Sequence, residues 1–359
     1  MMEKLKVGVA GVSRGNAYLR AFGIGERSEI KAVCDLDQNR LENAAELFGL
    51  GDSQCYTDYD SFINDDIDIV VVGTPIPLHA EQTVKAIKAG KHVFSEVTAT
   101  DTLEGCAAIY DAVKASDRKY MLAENYIYLD YIQQWKKYID EGRIGRIHYA
   151  EAEYIHDIRP LLVDKGSGET FWRTYRPPVT YCSHCLGPLL FLTDDDYVVK
   201  ATAMGNKNTI MLEFWPSTID MQVAVFETKQ ERITKILRSQ VTPREPHIVT
   251  YNVYGTKGSL ETGRTPGYDT IGKRYFEGSD RRAIDMNCNG TELDASPEIR
   301  FGGHGTSDYY IAQAFLDSIE HDKEPPISVD RAMELTVPGL IAHEAAVKGN
   351  IWLDVPHFD

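Results

Sequence analysis

The sequence predicts an α/β chain in two parts: a doubly wound parallel sheet first, then an α+β domain with a large, mostly antiparallel sheet. Three observations carry the prediction. The chain has 359 residues, and about 150 residues per domain suggests two domains. Its first third alternates short apolar runs with amphipathic stretches of helical length, the pattern of βαβ units and of a parallel sheet covered on both faces. Beyond about residue 130 the pattern changes to strand-like runs broken by glycine turns, with helices segregated to the end.

Taken in order, Leu5 to Ala10 reads as a buried strand that Gly11 to Gly15 breaks, and Ala17 to Ile24 as a helix. Glu29 to Cys34 is a second strand ending at Asp35, and Gln38 to Phe48 is the helix after it. Ile67 to Val72 is a continuous apolar strand followed by the Gly73-Thr74-Pro75 turn. A helix at Ala80 to Ala89, a strand at His92 to Phe94, a helix at Thr102 to Ala115 and a strand at Tyr120 to Ala123 complete the alternation. Right-handed crossovers make this a doubly wound domain. A helical stretch at Ile132 to Ile139 precedes Arg146 to Ile155, which alternates like a half-exposed strand. Val249 to Gly255 and Gly258 to Leu260 are further strands, and helices around Ser307 to Glu320 and Asp330 to Val347 close the chain. The boundary falls near residues 124–130, giving domains 1–126 and 127–359, with the last helix free to pack back on the first.

Composition narrows the partners. Hydrophobic residues at 43% and charged residues at 26% exclude a disordered chain. Lysine and arginine number 38 against 54 acidic residues, a net charge of −16, which repels phosphate backbones and anionic lipid. No nucleic-acid or membrane partner is expected. No apolar stretch approaches the ~20 residues that span a bilayer. Met1-Met2-Glu3-Lys4 runs directly into the first strand, so no secretory leader is expected. The six scattered cysteines read as thiols of a reducing compartment, and the expected location is the cytoplasm.

Gly8-Val9-Ala10-Gly11-Val12-Ser13-Arg14-Gly15 follows the first strand and opens a helix. Glycine is needed where backbone turns tightly and lets a pyrophosphate approach the positive end of a helix. Ser13 stands in the place of the second glycine of G-x-G-x-x-G, and a tight structural turn is the bland alternative. Asp35 ends the second strand about 20 residues further on, where a carboxylate bonds ribose hydroxyls and repels a 2′-phosphate. Strand, turn, helix, strand and aspartate in this order favour a Rossmann dinucleotide site, and NAD over NADP.

With Thr74-Pro75 and His79 (Thr-Pro-x-x-x-His) and Ala89-Gly90-Lys91-His92-Val93 leading to Glu96, these motifs resemble the Gfo/Idh/MocA oxidoreductases. That family contains NAD(P)-dependent sugar and cyclitol enzymes, and the likeness runs over essentially the whole chain. Two positions depart from it. The family's Glu-Lys-Pro is Glu96-Val97-Thr98 here, and Thr180 holds the aspartate's place before Tyr181-Cys182-Ser183-His184. The substituted pattern is similar to the NAD-dependent glycosidases of glycoside hydrolase family 109. Its matching elements are Glu96-Val97, Glu124-Asn125-Tyr126-Ile127-Tyr128, His156-Asp157-Ile158-Arg159 and Trp172-Arg173. Tyr181-Cys182-Ser183-His184-Cys185-Leu186-Gly187-Pro188 and Gly303-His304-Gly305 complete the set. Thr98 replaces the proline usual in that branch.

The resemblance implies roles. His184, in a turn-like segment, falls on the family's catalytic histidine, and neutral imidazole is the natural base near pH 7. Tyr128, just past the last parallel strand, is the second candidate base, while Tyr126 and Tyr131 read as packing. Tyr181 joins the catalytic set, or simply packs. Gly11, Ser13, Arg14, Asp35, Thr74, Pro75, His79, Glu96, Asn125, Trp172 and Arg173 are the expected cofactor contacts; Glu96 is otherwise a surface residue and Trp172 otherwise core. His156, Arg159 and His304 are the expected substrate contacts, with an internal Asp157–Arg159 ion pair and a helix-capping His304 as alternatives. Cys182-Ser183-His184-Cys185 invites a metal reading, but no second Cys-x-x-Cys exists and no metal is expected.

The implied activity is hydride transfer with NAD at a ring hydroxyl of a sugar or glycoside, in a glycosidase that works by oxidation, elimination, addition and reduction. A net sugar or cyclitol dehydrogenase is the second reading, and an inactive nucleotide-binding sensor the third. The implied partners are a small-molecule sugar or glycoside and further copies of the chain, as a dimer or tetramer.

Overall fold

Apolar runs too short for helices, bounded by glycine and proline, leave β-strands as the way to satisfy the backbone. The computed structural model describes residues 3–163, 167, 169–193, 196–207, 219–264, 271–301 and 304–358. They fall into two packing units, one within Met1–Tyr128 and Thr291–Met333 plus Phe358, the other within Leu129–Gly290 and Glu334–His357.

The first unit runs β1 (Leu5–Ala10), α1 (Val12–Gly23), β2 (Ser28–Cys34), α2 (Gln38–Phe48), β3 (Cys55–Tyr56), α3 (Tyr59–Ile63) and β4 (Ile69–Val72). It continues with α4 (Ile76–Lys88), β5 (His92–Ser95), α5 (Leu103–Lys114) and β6 (Tyr120–Leu122). The strands form a parallel sheet in the order β3-β2-β1-β4-β5-β6. Val7, Val9, Ile69 to Val72, Val93 and Phe94 are fully buried, which is why these runs are apolar without alternation. Helices α1 and α4 begin earlier than periodicity predicts, at Val12 and Ile76, because Gly11 and Pro75 cap them at the strand ends. The short β3 and α3 carry too few residues to show a period and are additions to the expected list.

The second unit opens with α6 (Asp130–Asp140), β7 (Ile147–Ile155) and α7 (Ser183–Leu192). Then come β8 (Val198–Lys207), β9 (Ile219–Thr228), β10 (Ile233–Ser239), β11 (Ile248–Gly255), β12 (Gly258–Glu261), β13 (Ile271–Phe276) and β14 (Ile284–Asn287). Helices α8 (Ser307–Glu320) and α9 (Val329–Val347) and the short β15 (Leu353–Asp354) end the chain. The sheet order is β14-β13-β12-β11-β7-β10-β9-β8-β15, with β7 and β10 parallel and its other pairs antiparallel. Burial alternates along β7, putting Ala150, Ala152 and Tyr154 on the covered face. Helix α8 packs with the first unit, its Phe315 ring 5.5 Å from Phe94. Among the described residues no helix is long and apolar enough to cross a membrane.

Candidate active site

In the first unit the turns after β1 and β4 meet where β1 has β2 on one side and β4 on the other, the switch point at which open α/β sheets bind ligands. Gly11 caps α1 with φ +80°, a left-handed conformation that favours glycine. A Cβ there would lie 2.5 Å from the Gly73 carbonyl and 2.6 Å from the Thr74 nitrogen, and one at Gly15 2.5 Å from Val9. The two turns therefore form a side-chain-free cradle at a helix N-terminus, and the residues present fit a dinucleotide's diphosphate. Ser13 lies exposed on the first turn of α1. Asp35 accepts the Val12 amide on Oδ2 (2.9 Å) and the Asp37 amide on Oδ1 (3.0 Å), and Arg40 lies 3.6 Å away. The carboxylate thus ties the end of β2 to the start of α1.

The second turn is held from behind. Thr74 Oγ1 donates to Gln82 Oε1 (2.5 Å), and Pro75 caps α4. His79 is buried, its ring nitrogens 2.7 Å from the Thr74 carbonyl and 2.9 Å from that of Thr98. Burial pushes its pKa down. Arg14 reaches Glu96, buried just past β5, at 2.8 Å. Asn125 donates to Asp308 Oδ1 (2.5 Å), and His304 Nδ1 lies 3.2 Å from Asp308 Oδ2 with its ring 5.5 Å from Tyr126. Burial works to raise the Asp308 pKa, but His304 and then Asn125 outweigh it and hold the carboxyl below the usual range. Tyr18 is fully buried; burial first, and the nearby Glu96 and Asp308 charges next, keep its phenol protonated. Tyr128 is half-buried, and burial likewise pushes its phenol up.

A second cluster forms entirely within the second unit. His184 is 2% exposed and is the second residue of α7, so the turn-like segment expected there is a helix. Pro188 inside α7 lacks the N–H that would bond the His184 carbonyl. The Tyr251 hydroxyl, from β11, donates to that carbonyl instead, and the helix persists. Tyr181 Oη lies 3.3 Å from His184 Nε2. Tyr154, on β7, has its ring 5.8 Å from His184 and its hydroxyl 2.9 Å from His156 Nδ1. Arg159 makes a two-point ion pair with Asp157 (2.8 and 2.6 Å). Trp172 carries the Arg173 guanidinium over its ring at 4.5 Å. Cys182 and Cys185 are fully buried, the Cys182 thiol 3.6 Å from the Leu335 carbonyl.

The structure thus brings Gly11, Ser13, Arg14, Asp35, Thr74, Pro75, His79, Glu96, Asn125 and His304 into one unit. It brings His156, Tyr181 and His184 together around Tyr154 in the other. Sequence reading missed Tyr18, Asp308, Tyr154, Arg176, Arg238 and Tyr251. Helical spacing offered a signal for two of them, since Arg14 with Tyr18 and His304 with Asp308 are four residues apart. Arg238 meets Tyr154 through strand register alone, which no local pattern reveals.

Comparison with known proteins gives the family and the fold. Residues 5–124 match the oxidoreductase family with the NAD-binding Rossmann fold, and residues 132–261 the Gfo/Idh/MocA C-terminal domain. A glycosyl hydrolase family 109 protein of Solibacter usitatus is 25% identical, covering 99% of this chain and 88% of the relative. One of Shewanella pealeana is 32% identical over 52% of this chain, and the chain spans only 44% of that relative. Among solved structures, levoglucosan dehydrogenase in complex with NADH and L-sorbose superposes with a TM-score of 0.83 at 23% identity, covering 99% of this chain and 100% of the other. That likeness shows the fold.

Proposed function

The chain belongs to the Gfo/Idh/MocA oxidoreductase family, with an NAD-binding Rossmann domain, and from that premise we propose that it is a glycosidase acting through a ring hydroxyl of its sugar. The observation that carries the proposal is the Tyr181–His184 pair at the start of α7, in a chain with Val97 at the family's lysine position. Gly11, Ser13, Arg14, Asp35, Thr74 and Pro75 hold the cofactor, and His79, Glu96 and Asn125 fix the segments around it. NAD held by these residues would supply reversible hydride transfer at a ring carbon, carbon 3 in this reading. A carbon-3 ketone acidifies the neighbouring C2–H, and His184 takes that proton, oriented by Tyr181. Tyr128 stays protonated at neutral pH and suits the acid's role better than the base's. The substituent at C1 leaves, and water adds in its place. This route needs no pair of carboxylates spaced as in ordinary glycosidases.

Turnover of an aryl glycoside in heavy water tests it. Deuterium at C2 of the product, with no net change in NAD, is the expected result; cleavage without deuterium at C2 sinks elimination. His184→Ala should lower turnover by about 10²–10⁴, the worth of a positioned acid–base group, with NAD binding kept. Accumulation of NADH with free sugar would mark a net sugar dehydrogenase instead. NAD binding with neither activity would mark a sensor.

A further inference from the structure

The second unit concentrates positive charge beside His184 in a chain whose net charge is −16. Arg176 stacks on the Tyr181 ring at 4.2 Å and on Trp172 at 5.5 Å. The hydroxyl of that same Tyr181 is the one at His184 Nε2, so the guanidinium sits one aromatic ring from the proposed base. Arg238 lies behind, 4.1 Å from Tyr154 and 5.3 Å from Tyr181. It is fully buried and donates to the carbonyls of Tyr181, Tyr154 and Ser239, at 3.2, 3.1 and 2.6 Å. Arg238 is therefore occupied in holding the sheet face.

Arg176 is not so occupied. Its Nη2 donates to Gln240 Oε1 at 3.0 Å, and its buried Nε has no partner among the described residues. The charged side chains that act on it most strongly include Arg238 and Arg173, and no carboxylate. Asp157 is paired with Arg159. Burial first, with those arginines adding to it, pushes the Arg176 pKa down to about 9. His156 reports the same field: burial, then His247 and Arg238, push it down to about 4. Trp172, Arg173, Arg176, Tyr181 and His156 are each partly exposed, so a ligand can reach the group. A planar guanidinium with spare donors, mounted on aromatic rings and with no carboxylate partner among the described residues, is built to take an oxyanion in a two-point grip.

We propose that Arg176 and its neighbours bind a negatively charged group on the sugar, a carboxylate or a sulfate ester, so that the substrate is an acidic glycoside. This rests on the sugar-active reading above and names the class of sugar. Resemblance suggests cofactor contact for the neighbouring Trp172 and Arg173, and the same chemistry could serve the cofactor's diphosphate; the experiment separates the two.

The test is calorimetric binding to the NAD-loaded protein of three matched methyl glycosides: neutral, uronic acid and 6-sulfate. At least one acidic ligand should bind about tenfold to a hundredfold tighter than the neutral one, the span of a charge-assisted hydrogen bond, and the tighter of the two names the anion. The advantage should shrink as salt is added. Arg176→Gln should abolish it while NAD affinity is unchanged, and Arg176→Lys, which keeps the charge but not the fork, should retain part of it and covers the case in which the glutamine variant does not fold. Equal binding of all three ligands overturns the proposal, as does an advantage that survives in a folded Arg176→Gln protein. Loss of NAD affinity with unchanged sugar preference assigns the arginine to the diphosphate and also overturns it. Preferred binding of an acidic ligand without C2 deuteration would leave this inference standing and remove the elimination mechanism alone.

Discussion

At the end of β2 the Asp35 carboxylate accepts the amides of Val12 and Asp37, so one side chain sets both the loop and the charge beside the glycine cradle. Asparagine at this position keeps one acceptor and loses the charge. Asp35→Asn should therefore narrow the preference for NAD over NADP by about tenfold, the equivalent of about 1.4 kcal/mol. Binding of both cofactors to both proteins by calorimetry checks this; an unchanged ratio would take Asp35 away from the ribose. Residues such as Gly11 and Asp35 are legible in sequence because their chemistry is local: a turn, a strand end, a fixed distance along the chain. Arg176 is not, since its meaning comes from Tyr181 and Trp172 beside it and from the absence of an acid partner among the described residues.

Helix α7 shows what an element adds. Its sequence contains Gly187 and Pro188, which argue for a turn, yet residues 183–192 are helical. The carbonyl that Pro188 orphans belongs to His184, and Tyr251 on β11 satisfies it from a distance of 67 positions in sequence. Removing that hydroxyl leaves a buried carbonyl unpaired, at a cost of about 1–3 kcal/mol. Tyr251→Phe should lower the melting temperature and reduce kcat more than it raises KM, because the helix turn that aims His184 loosens while the sugar-contacting groups stay. A variant with native stability and native kcat would show that Pro188 needs no such support. The same reasoning covers the helix starts, where α1 and α4 extend back to the strand ends because capping and close backbone approach decide them and apolar periodicity does not.

Over the whole molecule, buried and half-buried histidines set the response to acid. His92 and His156 are pushed down to about 4, and His79 and His343 are also lowered, burial being the first cause in every case. The folded chain holds these rings neutral, whereas the unfolded chain protonates them below about 6.5. Their contribution is present above that pH and is lost as pH falls below about 6.5, for His92 and His156 down to about 4, by at most about 1.4 kcal/mol per pH unit for each ring. Urea midpoints measured down this range should fall, and His92→Gln should flatten the decline; a constant midpoint would refute the assignment. The sequence by itself determined the alternation that becomes the parallel sheet, the glycine turns at its switch point, the change to a second sheet and the family resemblance, because each is written in period, turn chemistry or a short motif. Tertiary structure decided which unit α8 joins, that Asp308 gathers Asn125 and His304, and that Arg176, Tyr181 and His184 form one chain of contacts. Those pairings depend on strand register and on which helix faces meet, and burial converts them into altered pKa values and unspent donors only once the chain has folded.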